Sequence, residues 1–188
     1  KLARKKFVRA CLGGELWGCF YLGEMMKDGR GGPISIDESR TLLVRACDGE
    51  ILGACAGLGD LWKEGLLGDV DLEKARGHYQ RACQGGYEEA CGPLGGMLRL
   101  GEGGQPDLTL AFSYLEPACL LGQEASCVHL YSMWTQGEVP SPNPTSSAEA
   151  YLSACNRGQG GGCYAYLGVM KTGLAGALDP IQHMALLE

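Results

Sequence analysis

Histidine is scarce in this chain: His78, His129 and His183 are all there is in 188 residues. That leaves little material for metal centres or for acid–base catalysis at neutral pH. No Gly-x-Ser-x-Gly, Ser-x-x-Lys or His-Glu-x-x-His sequence occurs, so the common hydrolase and metalloprotease signatures are missing. Gly101-Glu102-Gly103-Gly104 has the composition of a phosphate loop but follows a helical pattern rather than a strand. No run of 18 apolar residues is present, which excludes a membrane-spanning helix within this sequence. There is no signal-peptide pattern. Basic residues are outnumbered, and the net charge of −6 argues against a nucleic-acid surface. Lysine and arginine are dense only at Lys1, Arg4, Lys5, Lys6 and Arg9, which read as a solvated helix face. No cofactor is implied. Charged residues at 20% and hydrophobic residues at 45% exclude a disordered chain.

What the sequence does have is cysteine, in a strict order. Cys11, Cys47, Cys83, Cys119 and Cys155 recur every 36 residues, and each is followed eight positions later by Cys19, Cys55, Cys91, Cys127 or Cys163. Other columns keep the period: alanine before each first cysteine, and Gly29, Gly65, Gly101, Gly137 and Gly173 ten residues after each second one. Ser35, Asp71, Asp107, Asn143 and Asp179 form a column of helix N-caps. Ser35 with Glu38 makes a capping box, and Pro144 and Pro180 sit where a helix tolerates proline best. A fixed period of this length marks stacked repeats, each a supersecondary unit that cannot bury its apolar face alone.

Each repeat reads as helix A, a loop, helix B and a short turn. The first helix A is expected over about residues 16–28 and its helix B over 35–47, with apolar residues at i, i+3, i+4. Repetition to residue 188, with an opening half-unit, predicts about eleven helices and no strands in a single solenoid over residues 1–188, partial at both ends. The chain opens in mid-pattern at Lys1 and stops in phase at Glu188, as a segment of a longer repeat protein would. Inside helix A, Gly23, Gly59 and Gly95 form a column where another helix is expected to cross closely; Tyr131 and Leu167 depart from it, so the last two repeats are expected to pack differently.

Leu22-Gly23, Met26 and Gly29, repeated as Leu58-Gly59, Trp62 and Gly65, together with a capped helix ending in Ala-Cys, resemble the Sel1-like repeat. The resemblance covers almost the whole chain. It implies α/α hairpins related to tetratricopeptide repeats, stacked into a right-handed superhelix, and a role in protein binding. The cysteine pairs resemble the disulfide-bearing subgroup typified by the cysteine-rich proteins of Helicobacter; mitochondrial intermembrane-space factors with Sel1-like repeats are a looser likeness.

Metal binding, redox catalysis, reduced packing and structural disulfides compete for the cysteines. Metal sites want closer spacing, redox catalysis wants Cys-x-x-Cys, and five identical pairs are a strange way to pack a core. Disulfides are the reading adopted, paired locally across each junction as Cys11–Cys19, Cys47–Cys55, Cys83–Cys91, Cys119–Cys127 and Cys155–Cys163. Joining Cys19 to Cys47 instead would strand Cys11 and Cys163. Such bonds imply an oxidising place: periplasm or cell exterior, with the mitochondrial intermembrane space as the alternative.

In tetratricopeptide-like solenoids helix A builds the inner wall. That register places Trp17, Phe20, Glu24, Lys27, Asp60, Lys63, Arg99, Tyr164 and Lys171 on a binding face, with glycine and alanine between them. Basic residues in one column beside exposed aromatics suit an extended acidic or amphipathic peptide. Two i, i+3 pairs, Glu24 with Lys27 and Asp60 with Lys63, would equally serve only to solvate a helix. The function expected is a protein-interaction scaffold with a protein or peptide partner. The alternatives are a penicillin-binding protein or slow β-lactamase-type enzyme, for which no motif is seen, and a structural segment of a larger extracytoplasmic assembly.

Overall fold

The structure, a computed structural model, describes residues 2–139 and 143–173. It forms two compact units, Lys1–Ala90 and Cys91–Glu188. The first holds α1 (Leu2–Leu12), α2 (Leu16–Lys27), α3 (Ile36–Asp48), α4 (Leu52–Lys63), α5 (Leu72–Gln84) and a 3₁₀ turn (Glu88–Ala90). The second holds α6 (Cys91–Leu100), α7 (Leu108–Leu120), α8 (Glu124–Gln136), α9 (Pro144–Asn156) and α10 (Gly160–Lys171). No strand occurs among the described residues. The eleventh helix expected from Asp179 and Pro180 lies outside them.

The helix boundaries follow from caps. The side chains of Asp71, Asp107 and Asn143 accept hydrogen bonds from the backbone N–H of Lys74, Leu110 and Ser146, which would otherwise be unpaired. Ser35 has nearly the same backbone (φ −146°, ψ 94°, against −137°, 94° at Asp107) but makes no side-chain cap bond. The capping box expected there is therefore incomplete. At the far end of each helix A the glycine column turns through positive φ, 67–71° at Gly29, Gly65, Gly101 and Gly137 and 68° at Gly173, where a side chain would be strained.

Hairpins close by helix B crossing the glycine column of helix A. A Cβ at Gly23 would lie 3.0 Å from Leu43, at Gly59 2.9 Å from Tyr79 and at Gly95 2.7 Å from Leu115. In this way α2 packs on α3, α4 on α5 and α6 on α7. Leu22, Leu58, Leu94, Leu130 and Tyr166 fill the core beside that column, and all are buried. Where Tyr131 replaces the glycine, the pattern changes: α8 packs extensively against α10. Gly168 of α10 takes the close approach instead, with Tyr131 Cα only 2.8 Å from where its Cβ would be.

Junctions between hairpins are stapled. Cys11–Cys19 joins α1 to α2, Cys47–Cys55 joins α3 to α4, Cys119–Cys127 joins α7 to α8 and Cys155–Cys163 joins α9 to α10, with Cα–Cα distances of 4.6–4.8 Å. Cys83 and Cys91 are disulfide-bonded as well. Helices meet this closely because the residue before each second cysteine is small and buried: Gly18, Ala54, Ala90, Ser126 and Gly162. A Cβ on Gly18 would sit 2.6 Å from that of Ala10, and one on Gly162 2.7 Å from that of Ala154. This column shares the 36-residue period, and reading the cysteines alone overlooks it.

Candidate functional site

Neighbouring A helices approach each other through glycine. A Cβ at Gly53 would meet Phe20, at Gly57 Glu24, at Gly92 Gln123 and Ser126, at Gly96 His129, and at Gly161 Cys127. The small residues Gly53, Ala56, Gly92, Gly96, Gly161 and Gly168 of the A helices are therefore buried between helices, whereas Ala125 is exposed.

In the first unit Lys27 Nζ lies 3.2 Å from Glu24 Oε2 and 3.3 Å from Asp60 Oδ2, bridging α2 to α4. Asp60 Oδ1 also accepts the Tyr79 hydroxyl at 2.6 Å. Burial alone would lower the Lys27 pKa, but Glu24 and Asp60 outweigh it and hold the ammonium above its ordinary value. Burial pushes Glu24 up despite the cation beside it, with Asp60 adding to the rise. Its Oε1 atom is buried and accepts no hydrogen bond.

The second unit repeats the device with other residues. Arg99 Nε donates to Glu138 Oε2 at 2.8 Å and Arg99 Nη2 to Gln136 Oε1 at 3.0 Å, while its Nη1 lies 3.4 Å from His129 Nδ1. Lys171 Nζ donates to the Tyr131 hydroxyl and sits 5.1 Å from the centre of that ring. Three members of the basic column thus bridge one helix A to a neighbouring helix A or to the loop after it. Lys63, the fourth, is exposed at the end of α4.

What remains open on the A helices includes aromatic rings as well as Leu100 and Val128. Trp17 is 55% exposed and Tyr164 59%, with Tyr21 exposed and Phe20 half-buried. Trp17, Phe20 and Tyr21 form one cluster with centroids 5.0–6.1 Å apart, and Phe7 of α1 stacks on Tyr21 at 5.2 Å. Tyr21 was not singled out from the sequence, although it directly follows Phe20. In the second unit Tyr164, Leu167 and Lys171 of α10 face Val128, Tyr131 and Ser132 of α8 across a groove of about 350 Å³. A larger apolar cleft, about 440 Å³, opens between α1 and α3, floored by Leu22 and Met26 and away from the aromatic cluster. Among the described residues no group of three His, Cys, Asp or Glu side chains could hold a metal, and no helix is long and apolar enough to cross a membrane.

Solved structures share this architecture. A protective antigen present in uropathogenic Escherichia coli strains, displaying an SLR fold, superposes with a TM-score of 0.80 at 24% identity over 96% of the chain. The chain spans 38% of that antigen's length. A Sel1 repeat protein from Oxalobacter formigenes gives a TM-score of 0.74 at 20% identity, over 99% of this chain and 74% of that one. Cysteine rich protein B of Helicobacter pylori gives 0.51 at 28% identity, over 65% of this chain and 88% of that one. No curated protein matches. The fold is an all-α solenoid of disulfide-bearing helical hairpins. The Sel1 repeat model matches residues 18–50, 53–87 and 89–123, more than half of the sequence, and with the glycine crossings of its hairpins the chain belongs to the Sel1 repeat family.

Proposed function

We propose that this chain is a protein-interaction scaffold that holds an extended segment of a protein or peptide partner against its A helices. The observation that carries the reading is the exposure of Trp17 and Tyr164 on helices that bury Leu22, Met26, Tyr166 and Val169. Aromatic side chains standing out of a rigid surface are the residues that anchor partners. Trp17, Phe20 and Tyr164 are the contact residues in this reading. Glu24, Lys27, Asp60, Arg99 and Lys171 hold the A helices in register, and Lys63 borders the face. The backbone of such a site is fixed by disulfides before a partner arrives, which lowers the ordering cost of binding.

Disulfides at the hairpin junctions point to an oxidising compartment. The bacterial origin of the similar structures favours periplasm or cell exterior over the intermembrane space. The test is affinity capture from an extracytoplasmic extract with the native chain, Trp17→Ala and Tyr164→Ala, followed by mass spectrometry. Each variant is expected to recover less of a partner that the native chain enriches. Equal recovery by both variants overturns the reading.

A further inference from the structure

We propose that the face built by the first turns of α2 and α4 and by the 3₁₀ turn is a docking site for a cationic segment, an extended stretch of partner carrying lysine or arginine. The proposal rests on the scaffold reading and specifies the chemistry of one stretch of its partner. Gly53 is the floor. Because it has no side chain, Phe20 Cζ comes within 3.0 Å and Tyr87 Cε2 within 3.4 Å of the position a Cβ would occupy. Two rings from different elements thus flank the first turn of α4. Trp17 meets Phe20 edge-on at 5.9 Å, and Tyr21 lies 5.0 Å from Phe20. Trp17 and Tyr21 remain 55% and 46% exposed. Phe7 stacks on one face of Tyr21, and an exposed ring such as Trp17 attracts an ammonium or guanidinium through the ring quadrupole.

The charge carried by the first turns of α2 and α4 and by the 3₁₀ turn has one sign. Glu15 precedes α2, Glu50 precedes α4, and Glu88 and Glu89 form the 3₁₀ turn; all four are exposed. No lysine or arginine occurs in residues 13–26, 49–62 or 85–90. One turn further along α2 and α4, Lys27 pairs with both Glu24 and Asp60. Carboxylates near helix N-termini also suit the macrodipole, but Glu15 makes no cap hydrogen bond that would hold it there. The Tyr87 hydroxyl is raised in pKa by burial and then by Glu89, Glu24 and Asp60, as a negative local field requires. Of the cations of α1, whose Phe7 stacks on Tyr21, Arg4 donates to the Pro33 carbonyl at 3.0 Å, and Lys5, Lys6 and Arg9 are exposed. An acidic segment, which the basic column suggests from sequence, would meet carboxylates here.

The probes are an extended peptide alternating arginine with alanine and its glutamate–alanine counterpart, titrated into the full chain by calorimetry and by NMR. The arginine peptide is expected to bind, to shift the Trp17 indole signal, and to weaken as salt is raised. Trp17→Ala should weaken it about tenfold. Glu15→Lys and Glu89→Lys, exposed changes that leave the thermal midpoint in place, should each weaken it severalfold. Binding of the arginine peptide unchanged in all three variants overturns the site. Tighter binding of the glutamate peptide at Trp17 overturns the cationic chemistry and leaves the scaffold reading standing. Failure of both peptides to bind, with partner capture still lost in Tyr164→Ala, overturns this site alone. Failure of both with capture intact in Trp17→Ala and Tyr164→Ala overturns the scaffold reading too.

Discussion

Gly59 and Gly77 lie on facing helices of one hairpin, yet their surroundings oppose each other. At Gly59 a Cβ would lie 2.9–3.1 Å from three atoms of the Tyr79 ring, and that ring is tethered by its hydroxyl to Asp60. At Gly77 nothing lies within 4 Å. Gly59→Ala gains about 1 kcal/mol of helix propensity but overpacks against a ring that cannot swing away, at a cost of about 1–3 kcal/mol. Stability is expected to fall. Gly77→Ala collects the propensity gain without the clash and should stabilise by about 0.5–1 kcal/mol. Scanning calorimetry of the two variants decides it; a midpoint that rises in both would mean that Tyr79 yields freely. The packing role of Gly59 is legible in the sequence because the position recurs at Gly23 and Gly95. Gly77 has no such column, and its openness is a property of the fold alone.

At the scale of helices, caps, turns and hairpin order were legible because they are written within one repeat. The fate of the basic column was not. Glu24 and Lys27 form the local i, i+3 pair that the spacing suggests, but Lys27 also reaches Asp60 one helix away, and Arg99 and Lys171 likewise bond to residues of a neighbouring repeat. Periodicity gives the face a residue occupies. It does not give the offset between neighbouring A helices, which decides what that residue meets. Lys27→Met tests the coupling of α2 to α4. Without the ammonium, Glu24 and Asp60 face each other, and the loss at neutral pH should be about 1–2 kcal/mol, moderated because the Asp60 side chain is 39% exposed. The Glu24 pKa, raised by burial already in the native chain, then loses the lowering effect of Lys27 and stands further above its unfolded value. The native state holds more protons than the unfolded chain between the two values, so stability rises as pH falls through that window. The deficit of the variant should therefore shrink in acid. In the native chain the Lys27 contribution is complete below its ordinary pKa of 10.5 and is lost as pH climbs through the raised folded value. Urea denaturation across pH measures both limbs, and a deficit that stays constant into acid would refute the bridge.

At the scale of the whole molecule, stability in a repeat protein is close to a sum of units and their nearest-neighbour junctions. Four junctions here, within the two units, join a helix B to the next helix A across a short turn and are closed by a disulfide over eight positions. In the chain-entropy account a loop this short contributes about 2–3 kcal/mol per bond. Because small buried residues flank each pair, with Ala46 and Ala54 fully buried beside Cys47 and Cys55, the helices remain complementary when the bond is gone. Replacing Cys47 and Cys55 together by serine is therefore expected to lower stability by about that 2–3 kcal/mol while leaving helical content intact below the new midpoint. The loss acts mainly through the unfolded chain, so the refolding rate should fall more than the unfolding rate rises. Reduction of all the bonds should remove several such contributions at once, a large fraction of the stability of a chain this size. Paired circular-dichroism melts with and without a phosphine reductant measure this. An unchanged midpoint would mean that the helices are held by packing alone, and the physical link from cysteine pairs to an oxidising compartment would lose its basis.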